Sequence, residues 1–298
     1  MELDKIANIA TSMVEDIDST HALSLYKHLE SGKMLRSKLV LSIIDTDEAY
    51  KLCAIIELIQ SASLLHDDVI DSSDLRRGKP SLNAQFGNKN SIMLGDILYS
   101  RAFFELANFS RDIAKVLSQS VVHLSIGELE DVALEDSFNA EEEKYLNMIG
   151  YKSASLIAAS AQCAALLDNK DSHKLYYDYG FNLGMAFQII DDILDITQDS
   201  SKLGKPALSD YKSGKTTLPY IYLYNSLSQD KQSWLKSLFK QDLSKEIKEE
   251  LQTMLLHSPL QQSRQKALEY GNKALNIAQT LNNKKLHSII TTMIWRDF

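Results

Sequence analysis

Only four prolines interrupt this chain of 298 residues, and they leave residues 1–79 and 81–205 without any proline. Glycine is scarce as well, with 11 residues. Sandwich, doubly wound and propeller folds need many turns that contain glycine or proline, so this scarcity favours long helices. The hydrophobic fraction of 44% is large enough to build a sizeable core, which excludes a disordered protein. The length allows one large domain or two ordinary ones, and no linker or repeat divides the chain.

Charge and cysteine content narrow the class of protein further. The net charge of −8 argues against nucleic acid as the main partner. Two cysteines, Cys53 and Cys163, cannot build a disulfide framework, and they suggest buried thiols in a reducing cytoplasm. The N-terminus is unlike a signal peptide. The smoothest apolar run, residues 155–167, is too short for a transmembrane segment and indicates a packed helix.

The first unusual feature is the segment 66–71, which reads HDDVID and ends an apolar helical pattern over residues 48–71. Asp67 and Asp71 are four residues apart, so both carboxylates project from one helix face. Their repulsion costs a few tenths of a kcal/mol, roughly, in a free helix, and a cation removes that cost. Asp68 lies about 100° round the helix and is expected to support the site rather than to bind directly.

The second feature is the segment 188–195, QIIDDILD, which ends a helical pattern over residues 176–197. Asp191 and Asp195 repeat the four-residue spacing, and Asp192 lies to the side as Asp68 does. A single motif of this kind could be a solvated acidic face, but two copies that each end an apolar helix are not explained by solvation. Carboxylates with few nitrogen or sulfur ligands favour Mg²⁺, which binds through one or two carboxylates plus substrate phosphates. The pair therefore predicts a substrate that supplies phosphate oxygens.

Basic residues flank both acidic motifs, which in an acidic protein suggests clamps for an anion. Each one alone could equally be an ordinary surface side chain, so the indication comes from the set. The candidates are Lys33, Arg36, Arg76, Arg77, Lys152, Lys205 and Lys215.

These motifs resemble those of the trans-isoprenyl diphosphate synthase family, also called polyprenyl synthetases. Residues 64–71 (LLHDDVID) with 75–80 (LRRGKP) are similar to its first aspartate-rich motif, and residues 187–195 (FQIIDDILD) to its second. The resemblance covers roughly residues 30–220. The smaller motifs that follow the family's order are 32–36 (GKMLR), 94–96 (LGD), 152–154 (KSA), 203–206 (LGKP) and 214–219 (GKTTLP).

The resemblance implies an all-α isoprenoid synthase bundle, with about ten or more helices around a central cavity and the aspartate motifs facing each other across its mouth. It implies a single polyprenyl synthetase domain over residues 1–298, a cytoplasmic homodimer, and a prenyltransferase that condenses an allylic prenyl diphosphate with isopentenyl diphosphate. The leaving diphosphate would serve as the base that removes the final proton.

The resemblance also implies a role for each site residue, carried over from the family's motifs. Three Mg²⁺ ions, for which Mn²⁺ could substitute, would bridge the substrate to Asp67, Asp71, Asp191 and Asp195, with Asp68 and Asp192 in weaker or indirect roles. The allylic diphosphate would be held by Arg76, Lys152, Lys205 and Lys215, and isopentenyl diphosphate by Lys33, Arg36, Arg77 and Gln60. Ser153 and Gln188 would lie near the developing allylic cation.

The chain departs from the family pattern at a few positions, none of which removes an aspartate of the two motifs. A histidine that often helps to hold isopentenyl diphosphate is replaced by Gln60, which weakens that one assignment. Ser153 stands where many members have threonine and keeps the hydroxyl, and Leu208 stands where a glycine is common. In the first basic motif, Ser31 and Ser37 replace the usual glycine and proline.

Product length is argued from helix geometry. Ala62 and Ser63 lie one turn before Asp67, about 5.4 Å deeper along the helix. Both are small, so they would not block a growing chain, although plain helix packing would explain them equally. Short-chain members of the family tend to have an aromatic ring there, so the sequence resembles medium- to long-chain, octaprenyl-type synthases.

Other interpretations stay open at this stage. A short-chain farnesyl or geranylgeranyl diphosphate synthase is the alternative within the family. An HD-type metal phosphohydrolase would use His66 and Asp67, but the other six histidines show no paired spacing and the second acidic motif is left unexplained. A terpene cyclase or a head-to-head condensing enzyme would keep the fold and change the reaction, and the anion site at Lys33 and Arg36 argues against a cyclase, which has one diphosphate to hold. A non-catalytic partner subunit usually has a decayed aspartate motif.

Overall fold

The computed structural model describes residues 2–197 and 208–294, and within them the chain is almost entirely helical, which confirms the predicted all-α class. The elements, numbered in chain order, are α1 (Glu2–Glu15), α2 (Thr20–Tyr26), α3 (Leu35–Ile43), α4 (Asp47–Ile70), β1 (Leu75–Arg76), β2 (Lys79–Pro80), α5 (Leu82–Phe86), α6 (Asn88–Leu106), α7 (Arg111–Leu134), α8 (Glu142–Ile149), a π-helical segment (Gly150–Ala154), α9 (Ser155–Leu167), α10 (His173–Thr197), α11 (Ser209–Lys212), α12 (Leu218–Ser226), α13 (Gln229–Ser237), α14 (Lys245–Leu255), α15 (Ser258–Thr280) and α16 (Lys284–Ile294).

Local sequence signals account for many of the helix boundaries. The Thr46 side chain accepts a hydrogen bond from the Ala49 amide and caps α4, and Ser244 caps α14 in the same way. Pro219 and Pro259 lie in the first turns of α12 and α15, where a missing amide hydrogen costs nothing. Both prolines therefore mark the start of a helix and interrupt none.

The two short strands form a hairpin directly after α4. Leu75 pairs with Pro80 and Arg76 with Lys79 in antiparallel register. The two turn residues, Arg77 and Gly78, both have positive φ, +54° and +77°, as a tight two-residue hairpin requires. The chain thus turns back on itself within a few residues of the first acidic motif.

The described chain divides into two compact units. Unit 1 contains residues 2–122, 156–180 and 283–286, and unit 2 contains the others. The core of unit 1 is built on α4, where Leu52, Ile55, Ile56, Ile59 and Ala62 are completely buried. This confirms the helical pattern predicted over residues 48–71. That residues 1–298 form a single domain stays a prediction.

Unit 2 packs α8, α12 and the C-terminal half of α10 around an apolar cluster that includes Tyr145, Ile189, Ile193, Leu218 and Ile221. Close approach of backbones within the unit depends on Gly184, where a Cβ atom would lie 2.6 Å from the Ala154 Cα. No helix in residues 2–197 and 208–294 combines the length and the apolar composition that a membrane crossing requires.

Candidate active site

The first acidic motif lies at the C-terminal end of α4. Asp67 is in the last full turn, and Asp71 is the residue that caps the helix. Both carboxylates are half-buried, so they remain accessible to an ion from solvent. The oxygen-only chemistry of this pair fits a hard cation such as Mg²⁺.

Arg76 ties the hairpin to this motif. Its Nε donates to both oxygens of Asp68, at 2.7 and 2.9 Å, and its Nη2 lies 3.0 Å from Asp67 Oδ2. The Asp68 side chain is buried, and burial raises the pKa of its carboxyl although the Arg76 guanidinium opposes that shift. Asp68 therefore holds Arg76 beside Asp67, which leaves a fixed cation next to a carboxylate predicted to bind metal.

Arg77 contacts the loop before α3. Its Nη1 donates to the Glu30 carbonyl, and a Cβ at Gly32 would lie only 2.5 Å from its Nη2. Only a residue without a side chain lets the guanidinium come so close. Arg76 and Arg77, together with Asp68, help to line a cavity of about 300 Å³ within unit 1.

Arg36, in the first turn of α3, has an unusual environment. Its Nε is buried and has no hydrogen-bond partner among the described residues. Burial lowers the pKa of its guanidinium to about 10, an effect that the nearby Glu57 carboxylate opposes. A buried donor without a partner is costly, so this nitrogen is suited to an anionic ligand. Lys33, three residues earlier, is exposed.

The positions assigned to product length lie on α4 as predicted. Ala62 is completely buried, whereas Ser63 is half-buried. The Ser63 hydroxyl donates to the carbonyl of Gln60 at 2.9 Å, a bond within its own helix. Gln60 is half-buried.

The second acidic motif, in α10, presents its carboxylates differently. Asp191 is exposed, whereas Asp192 and Asp195 are buried. Both Asp195 oxygens accept hydrogen bonds from the start of α11, one from the Ser209 hydroxyl at 2.9 Å and one from the Asp210 amide at 3.3 Å. Asp195 is therefore buried against α11, which makes the exposed Asp191 the most accessible carboxylate of this motif.

Two of the predicted phosphate-binding lysines share one carboxylate. Lys152 Nζ lies 2.6 Å from Asp131 Oδ2 and 2.9 Å from Glu128 Oε2, and Lys215 Nζ lies 3.3 Å from the same Asp131 oxygen. Asp131 is on α7 and is buried. It holds two cations together, and sequence reasoning did not identify it.

Lys152 and Ser153 lie in the π-helical segment. Such segments widen a helix by one residue and frequently occur at functional sites. A Cβ at Gly127 of α7 would lie 2.2 Å from the Lys152 backbone nitrogen, so this glycine lets α7 contact the segment directly.

Ser153 and Gln188 are in direct contact. The Ser153 hydroxyl donates to Gln188 Oε1 at 2.7 Å, and Gln188 Nε2 donates to Asp192 Oδ1 at 2.9 Å. Burial and the nearby Asp210 carboxylate raise the pKa of Asp192 well above its ordinary value, although the hydrogen bonds from Tyr145 and Gln188 oppose this. The contact brings the π-helical segment, and with it Lys152, next to the second acidic motif.

The segment between α10 and α11 is described only at Leu208. Lys205, with the LGKP motif, lies outside the described residues. Leu208, where the family often has glycine, adopts a left-handed backbone with φ of +60°, the conformation that glycine supplies most easily. Its side chain is buried in the core of unit 2, which offsets the strain.

The described residues contain no group of three or more His, Cys, Asp or Glu side chains arranged to hold a metal ion alone. This fits an ion that takes its remaining ligands from substrate phosphates and water, as Mg²⁺ usually does.

Comparisons with known proteins agree with these observations. A family model described as polyprenyl synthetase matches residues 20–255. Octaprenyl diphosphate synthase from Escherichia coli is 33% identical over 284 aligned positions, which cover 92% of this chain and 88% of that protein. Geranylgeranyl diphosphate synthase from Sulfolobus acidocaldarius is 34% identical over 248 positions, covering 78% and 75%. The crystal structure of octaprenyl pyrophosphate synthase from Helicobacter pylori matches with a TM-score of 0.94 and 46% identity, covering 99% of both chains.

Proposed function

Because this chain belongs to the polyprenyl synthetase family, we propose that it condenses isopentenyl diphosphate with an allylic diphosphate in repeated 1′-4 additions to give an all-trans polyprenyl diphosphate. The product is medium- to long-chain and octaprenyl-like, because octaprenyl synthases from two bacteria match nearly the whole chain. The geranylgeranyl synthase relative supports a short-chain product as the alternative.

One observation carries the proposal: basic side chains are held by carboxylates next to both acidic motifs. In unit 1, Arg76 is fixed by Asp68 beside Asp67. In unit 2, Lys152 and Lys215 share Asp131, and Ser153 connects the same segment to α10. A site that must stabilise several negative charges at once needs cations already in position.

The first chemical step is the breaking of the allylic C–O bond. The electron pair stays on the diphosphate oxygen and a carbocation remains on the prenyl carbon. Arg76, Lys152 and Lys215, and also Lys205, stabilise the charge that develops on the leaving diphosphate. The fixed positions of Arg76, Lys152 and Lys215 lower the barrier because no reorganisation is needed during the reaction.

Mg²⁺, expected as three ions per site, supplies Lewis-acid neutralisation of the diphosphate when bound. Asp67, Asp71 and Asp191 are the accessible carboxylates for it, and Asp195, which is buried, would be the fourth. Mn²⁺ has similar ligand preferences and could substitute.

The second substrate is assigned to the basic residues of α3 and the hairpin. Lys33, Arg36 and Arg77 bind the diphosphate of isopentenyl diphosphate, and the buried Arg36 Nε without a partner supports this role. Gln60 lies on the adjoining helix α4 and can donate its amide. The isopentenyl double bond then attacks the cation, a new C–C bond forms, and the released diphosphate takes the proton that is lost.

The test is to incubate the purified chain with farnesyl diphosphate, isopentenyl diphosphate and Mg²⁺, and to size the products by mass spectrometry. We expect products longer than the primer by several five-carbon units, and none in the presence of EDTA. Diphosphate release without chain extension would overturn the proposal and favour an HD-type hydrolase. Products that stop at twenty carbons would select the short-chain alternative.

Assembly and location stay predictions from the sequence. We propose a homodimer, which light scattering after size-exclusion chromatography would test, and a cytoplasmic enzyme. Activity of the purified chain alone would exclude a role as a non-catalytic subunit.

A further inference from the structure

Tyr145 brings a buried hydroxyl to the second acidic motif. It lies on α8 and is 1% exposed, and its hydroxyl donates to Asp192 Oδ2 on α10. Asp192 is itself buried, and Tyr145 belongs to the apolar cluster of unit 2. Polar groups persist in such surroundings only when they are hydrogen-bonded. The pair therefore has a defined geometry, and among the described residues the other Asp192 oxygen accepts a hydrogen bond from one neighbour.

That neighbour is the Gln188 amide, whose Nε2 donates to Asp192 Oδ1 at 2.9 Å. A glutamine amide can adopt two orientations in which its oxygen and nitrogen exchange places. A hydrogen-bond acceptor on one side selects the orientation in which the nitrogen faces that acceptor. With Tyr145 donating to Oδ2, the Asp192 carboxylate presents Oδ1 to Gln188 as an acceptor. Gln188 Oε1 is therefore directed away from Asp192.

The oriented amide oxygen accepts the hydroxyl proton of Ser153, at 2.7 Å. A serine hydroxyl has one proton, so once it is donated to Gln188 the hydroxyl offers only lone pairs to anything else nearby. Tyr145 and Asp192 are buried, whereas Ser153 and Gln188 are half-buried. The hydrogen-bond chain thus runs from the core of unit 2 to an accessible end.

We propose that Tyr145 is a positioning residue: through Asp192 and Gln188 it fixes the direction in which the Ser153 hydroxyl points. The inference rests on the proposed function, in which Ser153 and Gln188 face the allylic cation. Lone pairs directed at a developing positive charge stabilise it, whereas a hydroxyl proton directed there opposes it. Loss of the Tyr145 hydroxyl frees Asp192 to rotate and the amide to turn over, so the transition state loses stabilisation while substrate binding is retained.

The first test is Tyr145→Phe, which removes the hydroxyl and keeps the ring in the core. We expect kcat to fall by about tenfold, the effect of losing roughly one oriented hydrogen bond, with KM for both diphosphates within about twofold. The matched control is Tyr179→Phe, which removes a buried hydroxyl that donates to the Leu286 carbonyl at 2.7 Å. It should leave kcat unchanged. A kcat of Tyr145→Phe within twofold of the wild type would overturn the inference.

A double variant separates positioning from packing. In a Ser153→Ala background, Tyr145→Phe should lower kcat no further, because the hydrogen-bond chain then has no Ser153 hydroxyl to orient. If the two losses multiply, Tyr145 acts by another route and the inference fails. It fails as well if Ser153→Ala alone leaves kcat unchanged.

Asp192→Asn provides a test that keeps the tyrosine. Its amide nitrogen would face Gln188 and turn that amide over, so kcat should fall about as far as in Tyr145→Phe. The Mg²⁺ concentration that gives half-maximal rate should stay the same, and a shift there with unchanged kcat would contradict the proposal. A wild-type chain that extends no primer would overturn the proposed function and this inference together. An active wild type with an equally active Tyr145→Phe would overturn this inference alone.

Discussion

The two acidic motifs have the same spacing, but their middle carboxylates have different partners. Asp68 in unit 1 is paired with the charged guanidinium of Arg76, whereas Asp192 in unit 2 accepts hydrogen bonds from the neutral Tyr145 and Gln188. Burial raises the pKa of both carboxyls; the Arg76 guanidinium opposes the rise at Asp68, whereas the nearby Asp210 carboxylate adds to it at Asp192. The middle carboxylate of the first motif is thus paired with a cation, and that of the second is held by uncharged hydrogen-bond donors.

The outer carboxylates differ in a related way. Asp67 and Asp71 are both half-buried at the end of α4, whereas Asp191 is exposed and Asp195 is buried against α11. The same sequence pattern therefore offers two accessible carboxylates in unit 1 and one in unit 2. Spacing alone identifies the motif, and the neighbouring elements decide what each carboxylate can do.

The largest expected effect is the loss of an accessible carboxylate. Asp67→Ala and Asp191→Ala should each lower the rate of condensation by at least about 100-fold, as the removal of one preorganised electrostatic group does. Asp67→Ala should also lower the melting temperature, because Arg76 then loses a partner. Steady-state kinetics and thermal unfolding measure both effects, with Glu143→Ala, an exposed carboxylate on α8, as the control. Undiminished turnover in either variant would refute the metal assignment.

The next prediction compares how well two glycines near the motifs, Gly127 and Gly95, tolerate an added side chain. A Cβ at Gly127 would lie 2.2 Å from the Lys152 backbone nitrogen, whereas a Cβ at Gly95 would lie 2.4 Å from the ring end of His66. A ring can shift more cheaply than a backbone, so Gly127→Ala should cost about 2–3 kcal/mol of unfolding free energy and Gly95→Ala less. Urea unfolding measures this difference. Equal losses would show that the π-helical segment is as adaptable as a side chain.

Replacing the middle aspartate of each motif by asparagine tests the comparison between the two motifs. Asp68→Asn leaves the Arg76 guanidinium without its main counter-charge, and because Arg76 is 32% exposed we expect a loss of only about 1–2 kcal/mol. Asp192→Asn removes a buried acid whose partners, Tyr145 and Gln188, are uncharged, so its loss should stay below about 1 kcal/mol. Urea unfolding at neutral pH without metal ions measures both. The reverse order would mean that charge pairing does not distinguish the two motifs.

Much of this arrangement follows from sequence patterns because it depends on local periodicity. The four-residue spacing and apolar flanks predict α4, the C-terminal part of α10 and the grouping of their carboxylates. The pair Arg77–Gly78 marks a turn, and it returns Arg76 to the motif. These features depend on a few neighbouring residues, so the chain encodes them within a short window.

The supporting residues are not predicted, because their roles depend on contacts between distant parts of the chain. Tyr145 looks like any core aromatic, and nothing in residues 150–154 marks a π-helix. Asp131 could have been found, since Leu124, Gly127 and Asp131 recur at steps of three and four along the buried stripe of α7. An acid on an apolar stripe needs a cation, which Lys152 and Lys215 provide.

The smallest change in rate is expected for a substitution one turn before the first acidic motif, where a change in product length should still be visible. Two small residues, Ala62 and Ser63, lie one turn before Asp67. The bulky Phe187 lies four residues before Asp191, at the position that corresponds to Ser63. If the prenyl chain grows along α4 rather than along α10, Ala62→Tyr blocks it about 5.4 Å below Asp67 and shortens the product. Since Ala62 is completely buried, the new ring should also destabilise the fold by about 1–3 kcal/mol.

Thin-layer chromatography of the products at equal turnover separates that blocking from the loss of stability. Ser63→Ala is the matched control, because it removes a hydroxyl that bonds only the Gln60 carbonyl within its own helix and adds no bulk. It should leave the product distribution unchanged. An unchanged distribution in Ala62→Tyr would instead show that the chain does not pass this turn of α4, and the distinction between the two helices would then have to rest on their carboxylates alone.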